Sequence, residues 1–123
     1  GQAVISAQTS FETFADTLLR LLLEDLGKSA LEIENIFDRF GFIPRLKNQF
    51  NIIIGGNFSL ESGVLKTWNN CTWQVRNTVV HAGYHPTNNE ALQAIKAAAD
   101  GRTYIIKLLK KRPKKFEGIL QYL

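Results

Sequence analysis

From Phe11 onward, apolar residues recur at intervals of three and four, the spacing that lines one side of an α-helix. Phe11, Phe14, Leu18, Leu21, Leu22 and Leu26 form the first such stripe, with Thr9 or Ser10 as N-cap and Gly27 as stop. A second helix is predicted from about Ser29 to Phe40 on Leu31, Ile33, Ile36, Phe37 and Phe40, closed by Gly41. Pro44 suits the first turn of a third, which runs to about Ile54, before the break at Gly55-Gly56-Asn57. Ile52-Ile53-Ile54 also fits a short strand, but no second run exists to pair with it, so the helical reading is kept. A fourth helix is predicted over Ser59 to Ala82, with Gly83 placed to stop it. Pro86 pushes His85 towards an extended conformation. Thr87-Asn88-Asn89-Glu90 then reads as a capping box, opening a fifth helix on Leu92, Ile95, Ala99, Ile106 and Leu109. Asp100-Gly101 is expected to bend that helix and Pro113 to end it, leaving Phe116 to Leu123 for a last turn or short helix docked on the core. Five helices with short connections and no strand pair predict an all-α antiparallel bundle.

Composition narrows the class. The 123 residues suit a single domain spanning 1–123, and 45% hydrophobic with 21% charged residues excludes a disordered chain. No apolar run approaches the roughly 20 residues that span a bilayer, so no membrane association is expected. The N-terminus lacks the basic and apolar segments of a secretion signal. The single cysteine, Cys71, excludes an internal disulfide, offers no thiolate cluster for zinc and reads as a core residue. A cytoplasmic location is therefore expected, with no metal and no cofactor. The chain opens on Gly1 and contains no methionine, so it is expected to be a processed chain or a fragment of a larger protein. Its net charge of +4 is unevenly spread: Lys107, Lys110, Lys111, Arg112, Lys114 and Lys115 crowd into residues 107–115. Such a segment either attracts a polyanion such as RNA or is a solvated tail favoured by the helix C-terminus.

The fourth helix carries the chemistry. At about 100° per residue, Val64, Trp68, Cys71, Thr72, Val75 and Val79 fall on one arc, the predicted core face. Lys66, Asn69, Asn70, Trp73, Asn77, Val80 and His81 fall opposite, with Arg76 at the margin. A face meant only for water favours Glu and Lys over an exposed Trp73 and Val80, so this one is read as a partner surface. Asn77 and His81, four apart, stack along one line, whereas Arg76 lies about 140° from His81 around the axis. One helix alone holds the Arg–His pair loosely; in a symmetric homodimer through this helix, two pairs would share a cleft. Histidine exchanges a proton near neutral pH, and the arginine fork suits phosphate oxygens and the charge that develops on them. Asparagine orients either histidine or substrate by hydrogen bonding. Two histidines in one cleft would suffice for metal-free RNA cleavage, one deprotonating a 2′-hydroxyl and the other protonating the departing 5′-oxygen. The plainer alternatives are that Trp73 packs beneath the fifth helix and that His81 serves the helix dipole.

The string Arg76-Asn77-x-x-x-His81, followed by Gly83-Tyr84 and the Pro86-Thr87 helix start, resembles the HEPN superfamily (higher eukaryote and prokaryote nucleotide-binding domain). The resemblance covers about residues 60 to 110. It implies a helical bundle that dimerises through the motif helix. It further implies a metal-independent endoribonuclease site like those used in toxin–antitoxin systems, phage defence and RNA processing. By this resemblance Arg76 would stabilise the phosphate, His81 transfer protons and Asn77 orient. One branch of the family carries a tyrosine two residues after the histidine that a partner nucleotidyltransferase modifies; here Tyr84 stands three after His81, a departure from that pattern. Trp73, Tyr84, His85 and Lys66 are the expected RNA-binding or rim residues. Tyr84 stacks on a base or fills space between helices, and His85 either sits at the cleft rim or is a solvated loop residue. The expected partners are RNA, a second copy of the chain, and an antitoxin or additional domain. Many members keep the motif in modules that only dimerise or bind RNA or nucleotide, so catalysis and binding both stay open.

Overall fold

The computed structural model describes residues 1–123, in which six helices follow one another without a strand. Helix α1 spans Gln2–Asp25 and α2 Ala30–Arg39. Helix α3 is continuous through Phe42–Pro44, a π-helical turn at Arg45–Gln49, and Phe50–Ile53. Helix α4 likewise joins Gly63–Trp68, a π-helical turn at Asn69–Trp73, and Gln74–Ala82. Helix α5 spans Asn88–Lys110 and a short α6 Glu117–Leu120. The all-α bundle predicted from the pattern is thus observed.

Two N-termini follow the predicted capping chemistry. Ser29 caps α2 and Thr87 caps α5, each hydroxyl accepting the N–H three residues on while Glu32 or Glu90 accepts the cap's own N–H. Gly83 stops α4 in the left-handed region at φ +66°, which costs glycine nothing. Other boundaries differ from expectation. Helix α1 begins at Gln2, not after Thr9 or Ser10, because Val4, Ala7 and Gln8 extend the buried stripe one and two turns before Phe11. Helix α4 begins at Gly63, not Ser59. Asn57 Oδ1 accepts the Ser59 N–H and Ser59 Oγ accepts the Glu61 N–H, so local side-chain turns take backbone groups a helix would need.

The core is one cluster built on α1, whose Phe11, Ala15, Leu18, Leu19, Leu22 and Leu23 are all buried. Phe11 stands at its centre, 4.9 Å from the Trp68 ring and 6.2 Å from Phe42. Each Leu or Phe so buried contributes roughly 2 kcal/mol of transfer free energy. Helix α5 packs on both α1 and α4, burying Ala94, Ala97, Ala98, Gly101, Ile105 and Leu109. It runs through Asp100-Gly101 without a break. A Cβ on Gly101 would stand 2.9 Å from Phe11 Cε1, so this glycine serves close helix approach. Leu92 and Ile95, by contrast, are exposed, as is Leu31 on α2. Arg45, buried in the π-helical turn of α3, ties that helix to α1. Its Nε and Nη2 donate to the two carboxylate oxygens of Asp16 at 3.2 and 2.9 Å, and Nη1 donates to the Phe40 carbonyl.

Helices α4 and α5 run antiparallel. Thr72 Oγ1 donates to the Ala94 carbonyl at 2.9 Å, while towards the other end the Tyr104 hydroxyl accepts the Asn57 N–H at 2.8 Å. The motif therefore lies beside the N-terminus of α5, and the basic segment lies at the opposite end of the bundle. No helix is long and apolar enough to cross a membrane.

Candidate active site

The π-helical turn decides which way the motif faces. The Gln74 N–H bonds to the Asn69 carbonyl five residues back instead of four, so the turn holds one extra residue. In an uninterrupted α-helix Trp73 would stand about 140° from Trp68. Here the extra residue brings Trp73 back over the core, with its ring 5.9 Å from those of both Trp68 and Phe42. Trp73 is half-buried aromatic packing and not the exposed stacking residue expected from a uniform helical wheel. The predicted core arc is buried only in part. Trp68 and Thr72 are fully buried, but Val64, Cys71, Val75 and Val79 are only half-buried. Cys71 instead borders a shallow groove with Thr67, Lys96 and Asp100.

Beyond this turn, Gln74–Ala82 is regular α-helix and contains no fully buried residue. Arg76 and Asn77 are half-buried and joined, Arg76 Nη1 donating to Asn77 Oδ1 at 3.2 Å. The guanidinium also lies 6.0 Å from the centre of the Trp73 ring, so the core-packed indole backs the cation. His81 is exposed near the helix end, with no hydrogen bond to another side chain or to the backbone through its ring. Val80 beside it is 49% exposed, an apolar side chain left open next to the polar motif. The N-terminus of α1 packs on the other side, where a Cβ on Gly1 would stand 3.3 Å from Val79 Cγ1.

A hydrogen-bonded loop follows the motif. The Tyr84 hydroxyl donates to Glu90 Oε1 at 2.6 Å, and the same oxygen accepts the Thr87 N–H at 2.9 Å. Glu90 thus ties both the start of α5 and the segment after His81 to one carboxylate. The hydrogen bond from Tyr84, then that from Thr87, holds the Glu90 carboxyl below the usual carboxylate range, and the same bond to Glu90 raises the Tyr84 phenol above its ordinary value. The sequence pattern pointed to Glu90 as a cap but not to its grip on Tyr84. The signal available was a tyrosine six residues before a capping glutamate. Tyr84 neither fills an interhelical space nor is free to swing; His85 is exposed in the loop.

Arg76, Asn77 and His81 therefore share one open helical segment with Tyr84 close behind. Lys66 stands apart, exposed about 15 Å before Arg76 along the helix axis. None of the five concavities of the single chain includes Arg76, Asn77 or His81. No three His, Cys, Asp or Glu side chains converge in a metal-ligating group. Comparison with family models, curated proteins and solved structures finds no match to this chain.

Proposed function

We propose that this chain is a HEPN-like, metal-independent endoribonuclease acting on single-stranded RNA, with a composite site at a homodimer interface through α4. The observation that carries the reading is the state of Gln74–Ala82: no residue in it is fully buried, although it holds Val75, Val79 and Val80 beside Arg76, Asn77 and His81. A segment with that composition and only partial cover from its own chain suits the face of a second copy. Two such segments would bring two Arg76–Asn77 pairs and two His81 rings to one cleft.

In that cleft one His81 takes the proton from a ribose 2′-hydroxyl, and the 2′-oxygen attacks the adjacent phosphorus. The bond from phosphorus to the 5′-oxygen breaks, and the partner's His81 supplies a proton to the departing oxygen. The products are a 2′,3′-cyclic phosphate and a free 5′-hydroxyl. Arg76 stabilises the charge that builds on the non-bridging oxygens, and Asn77, already bonded to Arg76, fixes its orientation. The resemblance places such an activity in toxin–antitoxin or phage-defence systems, with an antitoxin or a further domain as partner.

A second reading is a non-catalytic dimerisation or RNA- or nucleotide-binding module of a larger defence or regulatory protein. It is favoured by the lack of any concavity around the motif in the single chain. The deciding experiment incubates labelled single-stranded RNA with the chain in excess EDTA, beside His81→Ala and Arg76→Ala. Cleavage by the parent that leaves 2′,3′-cyclic ends, lost in both variants, supports the nuclease. Intact RNA with a parent that remains a folded dimer leaves the binding module.

A further inference from the structure

The basic segment forms a fixed ledge. Lys107 and Lys110 lie in the last turn of α5, and Lys111, Arg112, Lys114 and Lys115 in the turn that follows. Leu109, Phe116 and Ile119 are buried between and after them, and Lys115 Nζ donates to the Ile53 carbonyl at 3.4 Å. The six cations are exposed, and none is in an ion pair; the chain's three ion pairs use Arg20, Arg45 and Lys96. The other nine cations face eleven carboxylates, so the rest of the molecule is net −2 and all of its positive excess sits on this ledge. Two carboxylates stand at its margin, Glu117 in α6 and Asp25 beside Gly118.

A polar cleft adjoins the ledge. It is lined by Lys47, Asn48, Asn51, Asn57, Ser59 and Asn69, with Glu61 as its one carboxylate. Its Gly56–Asn57 wall is held by the same helix that carries the cations. The Tyr104 hydroxyl bonds the Asn57 N–H, and a Cβ on Gly56 would meet Leu108 Cδ1 at 2.8 Å. Ile53, which Lys115 grips, precedes that wall. Four amides beside six unpaired cations match single-stranded nucleic acid, in which phosphates run past exposed base edges. An anionic membrane would meet the cations but would have no use for a hydrogen-bonding cleft.

We infer that this end of the bundle, the ledge of residues 107–115 with the asparagine-lined cleft, is a second RNA-binding surface, separate from the motif. The choice of RNA rests on the nuclease reading above. Helix α5 puts about 30 Å between Lys107 and the motif end, a span of about nine nucleotides of stacked strand. The ledge therefore holds a distant part of the strand whose scissile bond lies at His81, and it contributes affinity without touching the reaction.

The test measures anisotropy of a labelled single strand of about twenty 2′-O-methyl ribonucleotides, which lacks the 2′-hydroxyl that cleavage needs, with the full chain and titrating salt. Its variants are Lys107→Gln/Lys110→Gln/Lys111→Gln/Lys114→Gln, Asn48→Ala/Asn51→Ala and His81→Ala. Four lost phosphate contacts should lower the slope of log affinity against log salt by about 3, so that between roughly 50 and 200 mM the parent loses about fifty-fold more affinity than the quadruple variant. The amide variant should bind several-fold more weakly with the parent's slope, and His81→Ala should keep that slope. Cleavage of unmodified RNA in parallel tubes reports the nuclease reading separately, so its failure leaves the binding result to stand by itself. Equal slopes in parent and quadruple variant, undiminished affinity in the amide variant, or binding to anionic phospholipid vesicles without binding to RNA would each overturn the inference.

Discussion

Replacing Gly101 with alanine sets two effects of similar size against each other. In the interior of a long helix the change is ordinarily favourable by about 1 kcal/mol, since glycine has more backbone freedom to lose. At this position the new methyl would stand 2.9 Å from Phe11 Cε1, closer than carbon atoms approach. Phe11 cannot step aside, because it is 2% exposed and wedged against Trp68 and Phe42. Overpacking of a filled core costs about 1–3 kcal/mol, so Gly101→Ala is expected to destabilise the chain by about 1 kcal/mol net, roughly 4 °C in Tm. A double-mutant cycle isolates the clash. Phe11→Leu removes the obstructing ring edge, and in that background Gly101→Ala should stabilise by up to about 1 kcal/mol. Urea denaturation followed by the fluorescence of Trp68 and Trp73 measures all four proteins. A Gly101→Ala variant more stable than the parent, or the same sign in both backgrounds, would mean that Phe11 does not obstruct the methyl.

Two further predictions concern stability. Asp16→Ala leaves Arg45 nearly buried without its carboxylate and should cost about 2–3 kcal/mol, between the values for exposed and fully buried pairs; Arg45→Lys should not restore the parent's stability, since an ammonium cannot reproduce the fork. Equal denaturation midpoints for Arg45→Lys and the parent would count against the bidentate geometry. Glu90 is held below the usual carboxylate range in the folded chain, so it favours folding above its unfolded value, and that contribution fades as pH falls through its lowered folded value. Thermal melts from neutral pH into the acid range should therefore show the parent's advantage over Glu90→Gln shrinking with acidity, and a constant gap would contradict the assignment.

The six helices differ in how openly the sequence announced them. Capping at Ser29 and Thr87 and the stop at Gly83 are local chemistry, written in three or four adjacent residues, and the structure follows them. The beginning of α1 was hidden because Val4, Ala7 and Gln8 make a thin stripe, whereas Thr9 and Ser10 resemble a cap but lie mid-helix. Gly101 resembled a breaker because only the tertiary contact with Phe11 explains it. The residues of the candidate site could be read directly, but their orientation could not. A helical wheel assumes a uniform pitch, and nothing in Asn69-Asn70-Cys71-Thr72-Trp73 marks the turn that departs from it. The clamp of Glu90 on Tyr84 was equally out of reach, since it depends on how the intervening loop closes.

That turn has a consequence for how the motif is aimed. Composition and bearing are set by different stretches of α4: Arg76 to His81 supply the functional groups, and the surplus residue upstream sets their compass heading. Deleting one residue between Asn69 and Trp73 would restore uniform pitch and keep the motif's present heading, whereas winding all five residues at uniform α-helical pitch would swing the whole motif by about 100° around the axis without altering a single motif residue. In that uniform winding Trp73 would leave the aromatic cluster, and the indole behind Arg76 would lose its support from the core. The turn works as a slack joint in α4: it takes up one surplus residue, so the length of the helix and the bearing of its motif are set independently.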